Sequence, residues 1–327
     1  MNHEHRVRTL MSRLGVVERT HNSGVTLNES NLVYRQFVCD LLELLYFEDL
    51  GKVGDITTQM LNYGRKKSRA VVFARQNGRL SGLEEIDIFL KYLADYGEQF
   101  GEKVKIVERK ADGEFAFKND VIAVYEGFSF QLLSLERTIL NVIGRMSGIA
   151  SYADAMVKKC GNKVLVVPTR KTFWGLMDKK ACFDGHGGTH RLTLSDAILV
   201  KDNHIKLSGG LDKILRLLLS KKKVKFVEIE AATISEVRQI LRYKSAIIAQ
   251  CKVPFFILLD NMPPFVMREA VNMIRGAFEG FDVYIEASGG IDLHNVNQYA
   301  EIGVDVISSG SITHSSSWFD VSMEFNA

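Results

Sequence analysis

Apolar positions recur along this chain in four successive rhythms, and their order sets the fold expectation. Residues 1–30 are polar without sustained periodicity and are expected to form an N-terminal extension. Val33, Phe37, Leu41, Leu44 and Leu45 then repeat at helical spacing, with Asn28 and Ser30 as candidate caps. Asp55, Thr57 and Thr58 in the following VGDITT are turn or cap formers. Residues 69–82 and 103–127 read as short strands joined by Asn-Gly, Asp-Gly and Asn-Asp turns. A long helical pattern covers 129–159, with Leu132, Leu135, Ile139, Val142, Ile143, Met146 and Ile149 on its apolar face.

Beyond that helix the rhythm changes to six short apolar runs, each ending in polar residues. They are VLVVPTRK (164–171), AILVKDNH (197–204), KFVEIE (225–230), FFILLDN (255–261), VYIEASGG (283–290) and VDVISSG (304–310). Their apolar parts end near residues 168, 200, 229, 259, 285 and 307, roughly 22 to 32 residues apart, which is room for a helix and two loops. Parallel strand–helix units follow, and such units carry their functional groups at the strands' C-terminal ends. The pattern favours an open or closed barrel over a doubly wound sheet, because no G-x-G-x-x-G fingerprint is present.

Composition narrows the classes. The chain has 327 residues, 46% of them hydrophobic and 25% charged, as in an ordinary globular protein of one large or two ordinary domains. A net charge of +3 gives no electrostatic footprint for nucleic acid, and KKKVK at 221–225 reads as a solvated helix end. Cys39, Cys160, Cys182 and Cys251 form no C-x-x-C pair and read as reduced, mostly buried thiols. No apolar stretch approaches the ~18 residues of a membrane span. MNHEHRVRTL lacks a signal peptide's apolar run, so a cytoplasmic location is expected.

At the expected rim the strand ends supply Arg170, Lys171, Lys201, Glu230, Asp260 and Asn261, with His190, Arg191, Ser288, Gly289 and Gly290 nearby. Cations outnumber carboxylates, which points to a strongly anionic small-molecule ligand. The glycines of EASGG and SSGS let backbone N–H groups approach a phosphate closely. Glu230 and Asp260 suit Mg²⁺ or sugar hydroxyls. Each residue also has a plainer reading. Arg170 or Lys201 would form structural ion pairs with the carboxylates, His204 and Asn203 would orient neighbours, and Phe173 and Trp174 would pack. Gly144 and Gly148 would mark close helix packing. DGHGGTHR (184–191) sets His186 and His190 four apart, but its glycines disfavour a helix and no third zinc ligand has supporting spacing.

The ordered set ERTILNVIGRMSGIAS, TRKT, THRL-x-LSDAILVKDNH, VEIE, LLDNM, IEASGGI and GVDVISSGSITHS resembles the quinolinate phosphoribosyltransferase family. EDLG…GDITT fits it too, and the resemblance runs from about residue 40 to the C-terminus. It implies an N-terminal α/β sandwich domain (31–139 plus 316–327) with DVSMEF returning to it. An incomplete parallel α/β barrel of the type II phosphoribosyltransferase kind follows (140–315), and residues 1–30 are unexplained. The reaction implied is Mg²⁺-dependent phosphoribosyl transfer from phosphoribosyl pyrophosphate to quinolinate. It gives nicotinate mononucleotide, pyrophosphate and CO₂ on the de novo route to NAD, with a homodimer or higher homo-oligomer as the active unit.

By the same resemblance Arg137, Arg170, His190, Arg191 and Lys201 bind the acid's two carboxylates, Arg137 reaching in from the neighbouring subunit. Lys171 lies by the diphosphate, and Lys171, Glu230 and Asp260 are the catalytic set. Glu230 and Asp260 hold Mg²⁺, directly or through water. Ser288, Gly289, Gly290, Ser309, Gly310 and His314 surround the 5′-phosphate. Two features depart from the family pattern: TRKTFWG replaces TRKTTPG, and the stretch from there to His190 is shorter, with His186 in a usual glycine position. Other readings are a related transferase for another pyridine or aromatic acid, a Schiff-base aldolase using Lys171 or Lys201, and a non-catalytic barrel sensing a phosphorylated metabolite.

Overall fold

The computed structural model describes residues 13–64, 66–95, 103–161, 163–218 and 224–326. Residues 1–12 of the expected extension and 221–223 of the KKKVK run lie outside the described residues. The strands are β1 (Lys67–Ala74), β2 (Gly78–Arg79), β3 (Lys105–Arg109), β4 (Phe115–Ala116), β5 (Val121–Phe128), β6 (Leu165–Pro168), β7 (Ile198–Val200), β8 (Val227–Ala231), β9 (Phe255–Asp260), β10 (Val283–Ser288), β11 (Val306–Ser309) and β12 (Val321–Asn326). The helices used below are α1 (13–21), α2 (Leu32–Leu50), α3 (Ile56–Leu61), α4 (Leu83–Asp95), α5 (Ser129–Cys160), α6 (Leu176–Asp184) and α7 (Asp202–Ser208).

The chain packs as two compact units, Gly24–Asp154 with Thr172–His186 and Ser315–Ala327, and Met1–Ser23 with Ala155–Lys171 and Gly187–His314. Residues 140–154 and 172–186, read from sequence with the strand–helix repeat, pack with the antiparallel sheet. Residues 13–23 pack with the repeat.

In the first unit an antiparallel sheet runs β12-β1-β5-β3, beside a small β2–β4 pair. The C-terminal strand β12 lies against β1, Val321 opposite Ala74. Helix α5 buries all seven apolar residues expected of it. Gly144 and Gly148 are where the C-terminal segment crosses that helix: an added Cβ would lie 2.3 Å from Trp318 Nε1 and 2.2 Å from Ser317 O respectively.

Helix α2 differs from expectation in two ways. Its N-cap is Asn31, whose side chain accepts from Val33 and Tyr34 N–H, whereas Asn28 Oδ1 instead accepts from Ser30 N–H. Its buried face is Tyr34, Val38, Cys39, Leu42 and Tyr46, leaving Val33 74% and Leu44 66% exposed. The helix carries apolar residues on more than one side, so helical spacing fits two faces equally. Tertiary bonds select one: Tyr34 OH donates to Glu85 (2.5 Å), and Tyr46 OH and Ser134 Oγ are 3.1 Å apart.

In the second unit six parallel strands run β6-β11-β10-β9-β8-β7. The order is sequential, with the first strand beside the last and no reversal, as in a barrel and not a doubly wound sheet. No pairing joins β6 to β7, so the barrel is open there. Residues from β6 (Leu165, Val167) and from the approach to β7 (Ala197) still share one core cluster with Phe226, Phe256, Tyr284 and Val306. The segment ahead of His190 lies along the free edge of β6, Gly188 N–H donating to Val166 O (2.8 Å).

The expected extension is a further correction, since residues 13–21 are helical and Val17 is fully buried in that cluster. Leu14, Val16 and Val17 are too few for a periodic signal, and the barrel interior supplies the apolar partner. All four cysteines are free, and burial raises their thiols, Cys182 to about 12. No helix among the described residues is long and apolar enough to cross a membrane.

Candidate active site

Strand register brings the polar strand ends to one level. Val200 pairs with Ile229, so the next residues, Lys201 and Glu230, come side by side, with Lys201 Nζ 3.6 Å from Glu230 Oε2. Asp260 pairs with Ser288, and Ser309 with Pro168, next to Thr169 and Arg170. The paired strands run two or three residues past the apolar runs at β8, β10 and β11, so Glu230, Ser288 and Ser309 are strand residues rather than loop residues. Their backbones are fixed by the sheet, which holds the rim rigid.

Burial is the main cause that raises the Glu230 carboxyl above its ordinary range; Lys201 opposes this and Asp260 adds to it. Asp260 Oδ2 accepts from Asn261 Nδ2 (2.7 Å). Lys201 caps α7, and its N–H donates to His204 Nδ1 (2.9 Å), so His204 orients the lysine backbone. Gly289 has φ +90°, and an added Cβ would lie 2.3 Å from Asn261 Oδ1, so only glycine lets this turn approach the strand end. Gly290, at φ +64°, faces open space.

On the next strand end, an added Cβ at Gly310 would meet His314 Nε2 at 2.9 Å and Lys171 Cδ at 3.4 Å. Gly310, His314 and Lys171 are thereby brought together, and Thr313 Oγ1 donates to Lys171 O (2.8 Å). Ser309 differs in kind: its hydroxyl donates to Ile291 O (2.5 Å) and lies 2.7 Å from Ser311 Oγ, so it braces the turn.

Arg191 is buried, with Nη1 donating to Ala197 O (3.2 Å) and Nε buried without a hydrogen-bond partner. Burial first, and then the charge of Arg170, push its guanidinium below the usual arginine range. Two cations are thus held near each other with part of one left unsatisfied, the condition a carboxylate ligand relieves. Arg137 lies on α5 in the other unit, its side chain 62% exposed and 3.8 Å from Glu136.

His186 and His190 belong to different units, and His186 Nδ1 lies 3.0 Å from Asp154 Oδ1. Trp174 and Phe173 stack on the Arg145 guanidinium at 5.3 and 5.2 Å, and their N–H groups donate to Asp178, which also binds Arg145 through two hydrogen bonds. The Phe-Trp departure from the family pattern therefore lies over the Arg145–Asp178 ion pair within its own unit, with Phe173 itself largely exposed.

Sequence reasoning missed three buried neighbours of His190. His190 Nε2 lies 3.4 Å from Glu228 and 3.3 Å from Glu286, and His21 Nε2 lies 3.6 Å from Glu286. The two glutamates were legible by period two, since Glu228 shares its strand face with Glu230, and Glu286 with Ser288. These four side chains are the one group among the described residues spaced to hold a metal ion. His190, however, accepts the Arg191 N–H on Nδ1 (2.7 Å), which leaves its proton on Nε2, aimed at the carboxylates and not available as a ligand lone pair. The quartet is a buried electrostatic cluster: burial and the Glu286 charge raise Glu228, Glu286, despite burial, is lowered by His190 and His21, and His190, despite burial, is raised by Glu286 and Glu228.

Comparison with known proteins matches residues 55–147 to the N-terminal domain, and 149–324 to the C-terminal domain, of quinolinate phosphoribosyl transferase. The chain belongs to the quinolinate phosphoribosyltransferase family. A probable carboxylating nicotinate-nucleotide pyrophosphorylase of Methanocaldococcus jannaschii is 36% identical over 279 residues, 83% of this chain and 91% of that protein. A mitochondrial decarboxylating quinolinate phosphoribosyltransferase of Nicotiana tabacum is 32% identical, covering 88% of this chain and 81% of that protein. The solved nicotinate-nucleotide pyrophosphorylase of Ehrlichia chaffeensis superposes with TM-score 0.75 at 32% identity, over 88% of this chain and 98% of that one. In this family member the rim residues lie at the strand ends of the parallel unit.

Proposed function

We propose that this chain transfers the phosphoribosyl group of phosphoribosyl pyrophosphate to the ring nitrogen of quinolinate. The ribose C1–oxygen bond to pyrophosphate breaks and a C1–nitrogen bond forms. The ring's 2-carboxylate leaves as CO₂, a solvent proton takes its place, and nicotinate mononucleotide results, a step of NAD biosynthesis. The observation that carries this reading is the buried Arg191 beside Arg170, with Nε unpartnered, in the same unit as the Lys201–Glu230–Asp260 rim. Arg170, Arg191 and Lys201 bind the two carboxylates, and His190 braces Arg191. Glu230 and Asp260 face the ribose and stabilise the positive charge that develops on it as pyrophosphate departs.

Gly289, Gly290 and Gly310 offer backbone N–H groups to the 5′-phosphate, with Ser288 and His314 beside them. Lys171, next to Gly310, takes the diphosphate side. Glu230 and Asp260 also fit Mg²⁺: they are hard oxygen donors close enough that Asp260 raises the Glu230 carboxyl. When bound, the ion supplies neutralisation of the diphosphate. An aldolase reading is disfavoured, because Lys201 Nζ lies 3.6 Å from Glu230 Oε2, and a carboxylate partner works against the neutral amine that Schiff-base chemistry needs. The free, mostly buried thiols support a cytoplasmic location.

The active unit in this proposal is a homodimer or higher homo-oligomer whose site is shared between subunits. Leu32, Val33, Leu44, Ile56 and Met60 on α2 and α3 are large and exposed, a surface that favours association. Arg137 is available to a second copy. Mixing Arg137→Ala with Lys171→Ala protein is expected to restore up to about a quarter of wild-type activity, because half the dimers then contain one intact site. No recovery after demonstrated subunit exchange would remove Arg137 from a shared site. The whole reading is checked by incubating the chain with quinolinate, phosphoribosyl pyrophosphate and Mg²⁺ and following nicotinate mononucleotide.

A further inference from the structure

The segment 13–23 lies ahead of the two domains shared with the family, the first of which starts at residue 55. Its placement inside the parallel unit is nevertheless specific. Helix α1 inserts Val17 among Leu165, Phe226, Phe256, Tyr284 and Val306, residues at or near the strands' starting ends. Arg13 anchors one end, through two 3.0 Å bonds to Asp305 and one of 2.6 Å to Val283 O. Lys225 Nζ donates to Ser23 Oγ (3.0 Å) at the other.

Between these anchors, His21 reaches the residues assigned to the acid. Its carbonyl accepts both the Thr189 N–H (2.8 Å) and the His190 N–H (2.7 Å). Ser23 N–H donates to Thr189 Oγ1 (2.9 Å). The His21 ring stacks on Phe226 at 4.2 Å and meets His190 edge-on at 4.7 Å, with Nε2 3.6 Å from Glu286. His190 has φ +53°, a conformation a non-glycine residue keeps only when its surroundings enforce it. The shared carbonyl and the ring contact are that enforcement, and Arg191 is the next residue. An added Cβ at Gly188 would lie 2.8 Å from His21 O, so the chain can pass this close only with glycine there.

We infer that residues 13–23 form part of the acid-binding machinery, with His21 a positioning residue that fixes Thr189, His190 and Arg191 from the inner side of the barrel. This rests on the assignment of Arg191 to the acid. His21→Phe keeps an aromatic ring in the stack and removes the polar edge towards Glu286 and Thr20.

The experiment measures KM for each substrate separately in His21→Phe, His21→Gln, Thr189→Val and Arg191→Met proteins, with thermal melting alongside. His21→Phe is expected to raise the KM for quinolinate about tenfold and leave that for phosphoribosyl pyrophosphate within about twofold. His21→Gln, which restores a polar group towards Glu286, is expected to recover part of the loss. Thr189→Val, which removes the acceptor of the Ser23 N–H and the hydroxyl's own bond to His190 O (2.9 Å), is expected to shift the same KM in the same direction, and His21→Gln decides the matter if His21→Phe does not fold. Unchanged quinolinate KM in the folded variants, or equal shifts for both substrates, overturns the inference. If Arg191→Met itself leaves the quinolinate KM unchanged, the assignment of the clamp fails; if only Arg191→Met raises it, the clamp stands and the role of His21 does not.

Discussion

Arg191→Met is expected to lower kcat/KM for quinolinate by about a thousandfold, with the KM for phosphoribosyl pyrophosphate within about twofold of wild type. The guanidinium is buried, bonded to Ala197 O, and carries an unpartnered Nε beside the charge of Arg170. Losing a desolvated charge pair costs about 2–5 kcal/mol, and a thousandfold corresponds to about 4. Methionine keeps much of the side-chain volume and removes the charge, so folding is retained. Relief of repulsion from Arg170 makes a large drop in melting temperature unexpected. Steady-state kinetics with each substrate varied in turn measures this, and a loss shared equally between the two substrates would place Arg191 outside the acid site.

Gly148→Ala is expected to destabilise the protein by about 3 kcal/mol, although alanine is the better helix former. The added methyl would lie 2.2 Å from Ser317 O and 3.3 Å from Phe319 N, both backbone atoms that cannot rotate away. Phe319 N–H in turn donates to Gly144 O (2.9 Å), so the segment leading into β12 is bound where it would have to move. Gly276→Ala is the internal control. That glycine lies in the helix Pro264–Ala277 with nothing within 4 Å of an added Cβ, and the change should stabilise by about 0.5–1 kcal/mol. Thermal melting of the two variants against wild type reads both signs. A stabilised Gly148→Ala protein would mean that the close crossing over α5 is not maintained.

Much of this architecture was legible because its cues are local. The six strand ends and the face of α5 follow from periodicity, and the rim chemistry from what terminates each apolar run. Lys201 beside Glu230, and Asp260 beside Ser288, need one more fact, parallel register, which the repeat length already implies. The misses share a different cause. Helix α2 has apolar residues on two sides, so the choice of Tyr34 over Val33 depends on Glu85, a residue distant in sequence. The Ser309 hydroxyl bonds to Ile291 O, a contact that no spacing reveals. Residues 13–23 carry too few apolar positions for a pattern, and His21 acquires its meaning only from the barrel interior that surrounds it. Glu228 and Glu286 stand one strand period from Glu230 and Ser288, but their meaning comes from His190, which lies within 3.4 Å of both and is distant in sequence.

The central claim is that two arginines and a lysine at this rim select a pyridine dicarboxylate as the phosphoribosyl acceptor. Supplying equal quinolinate and nicotinate with phosphoribosyl pyrophosphate and Mg²⁺, with carbon label in the quinolinate 2-carboxylate, tests it in one vessel. The account predicts nicotinate mononucleotide formed with one labelled CO₂ released per nucleotide, and nicotinate left unconsumed. Nucleotide formed without labelled CO₂, or consumption of nicotinate in place of quinolinate, would contradict it.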